Sequence, residues 1–186
     1  ISGKDIDYIA FSLDPHDRFH QCVGVDGNHK IVENSWGTPE GEKMFFEKIM
    51  NVPVELSELF KKEFREKENF FFIKHHLTHA AGAYYSSGFE SAALLVVDGI
   101  AESKSTWVGR GNGTDIEKFF DLDYPNSVGF LWEKMSEFLG FSEYDAEKVM
   151  GLASYGDYKK EIIPMGKLVG LGSRGTFTVN NDILLF

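Results

Sequence analysis

The chain has 186 residues, a formal net charge of -10, 42% hydrophobic side chains and 26% charged ones. That balance supports a folded core and argues against disorder, a broad electrostatic hold on nucleic acid, or binding to an anionic membrane. A single cysteine, Cys22, excludes a disulfide framework, and no apolar run reaches the ~20 residues of a membrane-spanning helix, so a cytoplasmic protein is expected.

The chain opens at Ile1 in a loop-like stretch and stops at Phe186 inside an apolar run. Both ends read as cuts, so residues 1–186 are expected to be one domain, a fragment of a larger one. Tyr8–Ser12 reads as a short strand. Phe19–Val25 and Lys30–Asn34 are expected to pair around Asp26-Gly27-Asn28, a tight-turn sequence. Gly41–Met50 and Val54–Lys67 read as helices; in the second, Leu56, Leu59, Phe60 and Phe64 recur at helical spacing, and Ser57 is a candidate cap.

Phe70–Lys74 reads as a strand running into a buried, small-residue helix, His75–Ser87. Ser91–Asp98 is a continuous apolar run, the pattern of a central strand covered on both faces, and the strand–helix–strand stretch from Phe70 to Asp98 suits a parallel arrangement. Strands at Lys104–Arg110 and Ile116–Leu122 are expected to flank Gly111-Asn112-Gly113. Val128–Leu139 reads as a helix stopped by Gly140, followed by the Gly-punctuated segment Glu147–Gly156 and a helix near Lys159–Leu168. Thr176–Val179 and Ile183–Phe186 are expected to form a final hairpin. The mixture is an α/β fold.

Three motifs carry chemistry. In His75-His76-Leu77-Thr78-His79-Ala80, a helix puts positions i and i+4 on one face, so His75 and His79 can share one divalent metal ion. His76 lies about 100° further round the helix and need not join them. A single histidine here would be read as packing. Three of the chain's six within five residues favour a ligand role. The second motif is Val97-Asp98-Gly99. A carboxylate at the end of a buried strand can complete a metal site, and Gly99 can expose an amide to phosphate, although Asp-Gly is also a common turn. The third is Lys148 to Gly156, where Lys148 and the amides around Gly151 can hold phosphate. It is not a Walker loop, and by its residues alone a structural loop is the better reading.

Together with Phe89 to Leu94, Pro125-Asn126-Ser127-Val128-Gly129 and Tyr155-Gly156, these strings resemble the N-terminal domain of the carbamoyltransferases that decorate nodulation factors and antibiotics such as cephamycin and tobramycin. The resemblance runs from about Phe70 to Gly156. It implies an actin-like ATPase (ribonuclease H-like) fold and a metal, usually iron, held by His75, His79 and Asp98. It also implies a reaction in which carbamoyl phosphate and ATP give carbamoyl-adenylate and then a carbamoylated hydroxyl acceptor. Gly99, Lys148 and Gly151 would then lie in the cofactor pocket. The sequence departs from the family at Gly99-Ile100-Ala101-Glu102, where Ala101 replaces a glycine, and before Lys148, where a glycine is lost. Two alternatives stand beside this reading: a threonylcarbamoyl-transfer or hydrogenase-maturation relative, and a non-catalytic actin-like module.

Overall fold

Short aromatic-rich strands and the helices that follow them organise the first half of the chain. The computed structural model describes residues 2–22, 38–142, 145–157, 159, 166–180 and 182. The chain divides into two compact units, one comprising Ile1–Glu90 and Ala101–Ser103, the other Ser91–Ile100 and Lys104–Phe186.

In the first unit, β1 (Ile9–Phe11) pairs in parallel with β2 (Phe70–Phe72), Ile9 beside Phe70 and Phe11 beside Phe72. Phe70 is fully buried and meets the Phe72 ring at 5.0 Å between centroids. The chain leaves β1 into α1 (Pro15–Cys22), which Asp14 caps by accepting from His16 N and Asp17 N. The strand expected from Phe19 therefore begins inside a helix; the rest of that hairpin lies outside the described residues.

The helix α2 (Pro39–Met50) has Pro39 in its first turn, and its cap Thr38 accepts from Gly41 N at 3.1 Å. The next helix, α3 (Val52–Phe60), is shorter than its sequence pattern. Lys61 turns left-handed at φ 53°, and the apolar spacing that continues to Phe64 is satisfied in a loop that folds back. Ser57 is no N-terminal cap. It lies inside α3, donates to Pro53 O and accepts from Phe64 N, pinning that loop.

The helix α4 (His75–Ser87) has the predicted bounds, ending at Gly88 with φ 77°. It is not buried all round. His76, Ala80 and Tyr84 form the buried stripe, whereas Leu77 and Tyr85 are exposed.

In the second unit, β3 (Ser91–Ala101), β4 (Lys104–Asn112) and β5 (Asp115–Asp123) form a sheet in that order. The apolar run Ser91–Asp98 was expected to be the covered central strand. Among the described residues β3 instead lies at the edge of its sheet, and its side chains alternate: Leu94 and Val96 are buried, while Leu95 is 70% exposed. The middle strand is the more polar β4, in which Ser105, Thr106 and Trp107 are all buried. At Gly109 a Cβ would stand 2.2 Å from Glu117 O, so the close approach of the β4–β5 pair requires glycine there. The hairpin turns at Gly113-Thr114, two residues beyond the expected start, with Gly113 at φ 60°. The parallel pairing observed for β2 is with β1.

The remaining elements are α5 (Val128–Phe138), α6 (Ala146–Leu152) and the antiparallel pair β6 (Val169–Leu171) and β7 (Phe177–Val179). Gly140, at φ 87°, follows α5 as expected. The strand β7 pairs with β6; Ile183–Phe186, its expected partner, lie outside the described residues. The helix expected near Lys159–Leu168 also falls mostly outside them. Helices and strands mix in both units, as the α/β expectation requires.

Candidate metal centre

The parallel pairing of β1 and β2 brings their carboxyl ends together, and α4 begins three residues after β2. Ile73 N donates to Phe11 O at 2.9 Å, continuing the alignment past both strands. Ser12 is thereby set beside His75, and the Ser12 carbonyl lies 2.7 Å from His75 Nδ1. A carbonyl can only accept, so Nδ1 carries the hydrogen. In the neutral ring this makes Nε2 the acceptor nitrogen.

One turn further along α4, His79 Nε2 lies 3.0 Å from His75 Nε2, with the two rings edge to face at 88°. Because His75 Nε2 bears no hydrogen, His79 Nε2–H donates to it when no ion is present. Two nitrogens bound to one metal at about 2.0–2.1 Å each would stand roughly 2.9–3.4 Å apart for bond angles of about 90–109°, so the observed spacing fits a shared ion. Ligating histidines usually give their second nitrogen to a carbonyl or carboxylate, as His75 does. His75 is half-buried and His79 exposed, leaving the pair open to an incoming ion. His76 points away from them into the buried stripe and is 4% exposed.

The start of α4 has no side-chain cap from its own sequence. Its first amide, His75 N, is satisfied from a distance by Glu102 Oε1 at 3.0 Å, and the same oxygen accepts from Asp14 N at 3.0 Å. Arg18 Nη1 donates to the Glu102 carbonyl, while Arg18 Nε and Nη2 grip the Glu42 carboxylate at 2.9 and 2.7 Å. Both members of that pair are buried. Nearby, Lys74 pairs with Asp17 at 3.0 Å; the hydrogen bond it donates to this carboxylate holds the Lys74 ammonium above its ordinary pKa.

In the second unit, Asp98 lies within β3 rather than at its end. The strand runs on to Ala101, and the turn falls at Glu102-Ser103. Gly99 is therefore not a turn glycine. Its N–H faces Asp98 Oδ1 at 2.7 Å, and its carbonyl accepts from Ser127 Oγ at 2.7 Å. The same Ser127 caps α5 through Phe130 N. The α5 start packs so closely here that a Cβ on Gly129 would lie 2.6 Å from Gly99 N. The Ser127 and Gly129 positions of the Pro125–Gly129 string thus both serve to seat α5 on the Asp98-Gly99 backbone.

The Lys148 segment is helical where a glycine turn was expected. Lys148 lies in α6, more than half exposed, and pairs with Asp145 at 2.7 Å, a hydrogen bond that raises its pKa. Gly151 is in the same helix, also exposed. The sequence reading missed two contributors to the histidine pair. Ser12 acts through its carbonyl, which no residue identity marks. Glu102 stood at the end of the Gly99–Glu102 string, noted there only for its missing glycine.

The family model described as the carbamoyltransferase N-terminus matches residues 4–186. The chain belongs to that family. It is 29% identical over 189 residues to an uncharacterized protein of Synechocystis sp., across 97% of this chain and 30% of that protein. It is 38% identical to nodulation protein NolNO of Sinorhizobium fredii and 36% to nodulation protein NolO of Bradyrhizobium diazoefficiens, each across 46% of this chain. Those two matches span 13% and 16% of the respective proteins, so the chain corresponds to a minor part of each relative's length. No helix among the described residues is long and apolar enough to cross a membrane.

Proposed function

We propose that this chain is part of an ATP-dependent O-carbamoyltransferase of the cytoplasm, built on an actin-like ATPase fold, in which His75 and His79 hold a divalent metal, iron in the cell. One observation carries the reading: in a chain of the carbamoyltransferase family, the two motif histidines face each other at 3.0 Å with the His75 tautomer already set by Ser12. Asp98 is proposed as the carboxylate that joins them. Gly99, Lys148 and Gly151 are proposed to line the phosphate pocket, with Lys148 contacting phosphate through its ammonium group.

The reaction class is carbamoyl transfer. Water hydrolyses carbamoyl phosphate to carbamate and phosphate. Carbamate attacks the α-phosphorus of ATP with loss of pyrophosphate, and the acceptor hydroxyl then displaces AMP from carbamoyl-adenylate. A bound metal supplies Lewis-acid polarisation of a phosphoryl or carbonyl oxygen. The residues of this chain supply position. Ser12 fixes the direction of His75, α4 fixes the spacing to His79, and a cation such as Lys148 offsets phosphate charge that the chain's net charge of -10 would repel.

In the full-length protein, His75→Ala and His79→Ala are expected to abolish bound metal, and pyrophosphate release from ATP is expected to depend on carbamoyl phosphate. Equal metal content in wild type and His79→Ala would overturn the metal assignment. Pyrophosphate release indifferent to carbamoyl phosphate would overturn the reaction.

A further inference from the structure

We infer that Glu102 is a positioning residue for His75: by accepting from Asp14 N and His75 N on one oxygen, it locks the segment that carries the Ser12 carbonyl against the start of α4 and so sets the imidazole tautomer. Three observations converge on this residue. First, Glu102 occupies one of the two positions joining β3 to β4 with φ 41°, a left-handed conformation that favours glycine or asparagine over glutamate. A side chain retained at such a position despite the backbone cost points to a requirement for the side chain itself. Second, the residue is 4% exposed, so its carboxylate is committed to the interior rather than to water. Third, the two amides it accepts lie at the starts of α1 and α4, where first-turn N–H groups lack helical partners and the helix dipole favours an anion.

The consequence for His75 follows from chain geometry. Ser12 is two residues before Asp14, on the segment that Glu102 fastens. Its carbonyl meets Nδ1 of the residue whose own amide Glu102 also fastens. With the carboxylate in place, both halves of the Ser12–His75 contact are held by one atom. Without it, the Asp14 and His75 amides lose their shared acceptor and the two segments are free to separate. The Arg18 contact to the Glu102 carbonyl holds the glutamate backbone from the other side, so the carboxylate presents one stable acceptor.

The test uses the full-length protein with isotope-labelled histidine nitrogens, read by NMR at a pH where the rings are neutral. The His75 signals are assigned by their loss in His75→Gln. Wild type is expected to show the Nδ1–H tautomer at His75. Glu102→Ala is expected to shift it toward Nε2–H, and Glu102→Gln, which keeps a carbonyl oxygen at the same reach, is expected to retain Nδ1–H. Should Glu102→Ala fail to fold, Glu102→Asp takes its place, its shorter side chain being unable to reach both amides. A folded Glu102→Ala or Glu102→Asp protein with His75 still fully Nδ1–H would overturn the proposal, as would wild type showing Nε2–H.

A second arm rests on the metal reading above and uses cobalt(II) as probe. Glu102→Ala is expected to weaken cobalt binding by roughly ten- to a hundredfold, the usual cost of losing an outer-shell partner, with Glu102→Gln recovering most of it. If His79→Ala binds cobalt as wild type does, the metal reading fails while the tautomer arm still decides the role of Glu102. If His79→Ala loses cobalt and folded Glu102→Ala binds within twofold of wild type, the positioning role fails and the metal reading stands.

Discussion

The start of α4 and the helix α6 carry equally distinctive sequence strings, yet they are held in opposite ways. At α4, the His75 ring is oriented by a carbonyl, its amide by a distant buried carboxylate, and that carboxylate's backbone by an arginine itself locked to Glu42. At α6, Lys148 pairs with Asp145 three residues away on an exposed surface, and Gly151 has open space where a Cβ would be. The difference teaches that a motif and a preorganised site are separate properties. A string such as Lys148–Gly156 can mark a family without its residues being fixed in place by the segment that contains them.

The comparison breaks first at the Arg18–Glu42 pair. Removing one member of a buried ion pair leaves the other charge uncompensated, at a cost of roughly 3–5 kcal/mol. Glu42→Ala is therefore expected to lower the unfolding free energy by about that amount in urea denaturation. If the loss stays below ~1 kcal/mol, the bracing beneath α4 is weaker than its geometry implies.

The next largest effect is expected at His76. Its place on the buried stripe with Ala80 and Tyr84 makes it a packing residue, so His76→Ala should cost roughly 1–3 kcal/mol while leaving metal content at the wild-type level. Loss of metal at unchanged stability would reverse its role and that of the exposed His79. That His76 faces a different way from His75 and His79 was legible in the sequence, because it follows from helical rotation alone.

Other parts were not legible, for reasons that differ element by element. The bounds of α4 emerged correctly because a strand's end, a run of small residues and a glycine stop agree with one another. The α3 pattern overran to Lys67 because Phe64 is apolar for a loop that folds back onto Ser57, and periodicity cannot tell that from another helical turn. The run Ser91–Asp98 suggested a doubly covered strand. In fact the polar strand β4 took the middle position, since strand order comes from pairing and not from hydropathy. The residues proposed as ligands, His75, His79 and Asp98, announced themselves by type. Ser12 and Glu102 did not, because one works through its backbone and the other across 27 residues of chain from His75.

A smaller effect tests where the bracing of α4 stops. Gly82 is exposed in the interior of this helix, and a Cβ there would meet nothing within 4 Å. Gly82→Ala should thus stabilise the protein by about 0.5–1 kcal/mol, because alanine gives up less backbone freedom on folding. The measurement is the shift in urea midpoint, accompanied by metal content, which should not change. A destabilised Gly82→Ala protein would show that this face of α4 is covered in solution and that the helix is held over its whole length rather than at its start.

The smallest expected effect on stability belongs to Lys148. Its hydrogen bond with Asp145 lowers the Asp145 pKa, so that group's contribution is present above the ordinary carboxylate range and fades as pH falls through the folded-state value. The same bond raises the Lys148 pKa, so its contribution is present below the usual lysine range and is lost as pH rises through the raised value. Between those limits both partners are charged, yet the pair is exposed and surface pairs of this kind contribute little. Lys148→Met should accordingly leave the urea midpoint near neutral pH almost unmoved, and any residual difference should vanish in acid as Asp145 is protonated. A large loss of stability would mean that α6 is braced as firmly as α4. Ligand binding is the separate question. If the ammonium leaves Asp145 to meet a phosphate, Lys148→Met in the full-length protein should raise the dissociation constant for ATP or carbamoyl phosphate by roughly tenfold, the equivalent of one decade in affinity. Calorimetric titration with each ligand measures it. Affinities for both within about twofold of wild type would leave Lys148 as a surface partner of Asp145, and the contrast between a built site at α4 and a marked but unbuilt one at α6 would then be complete.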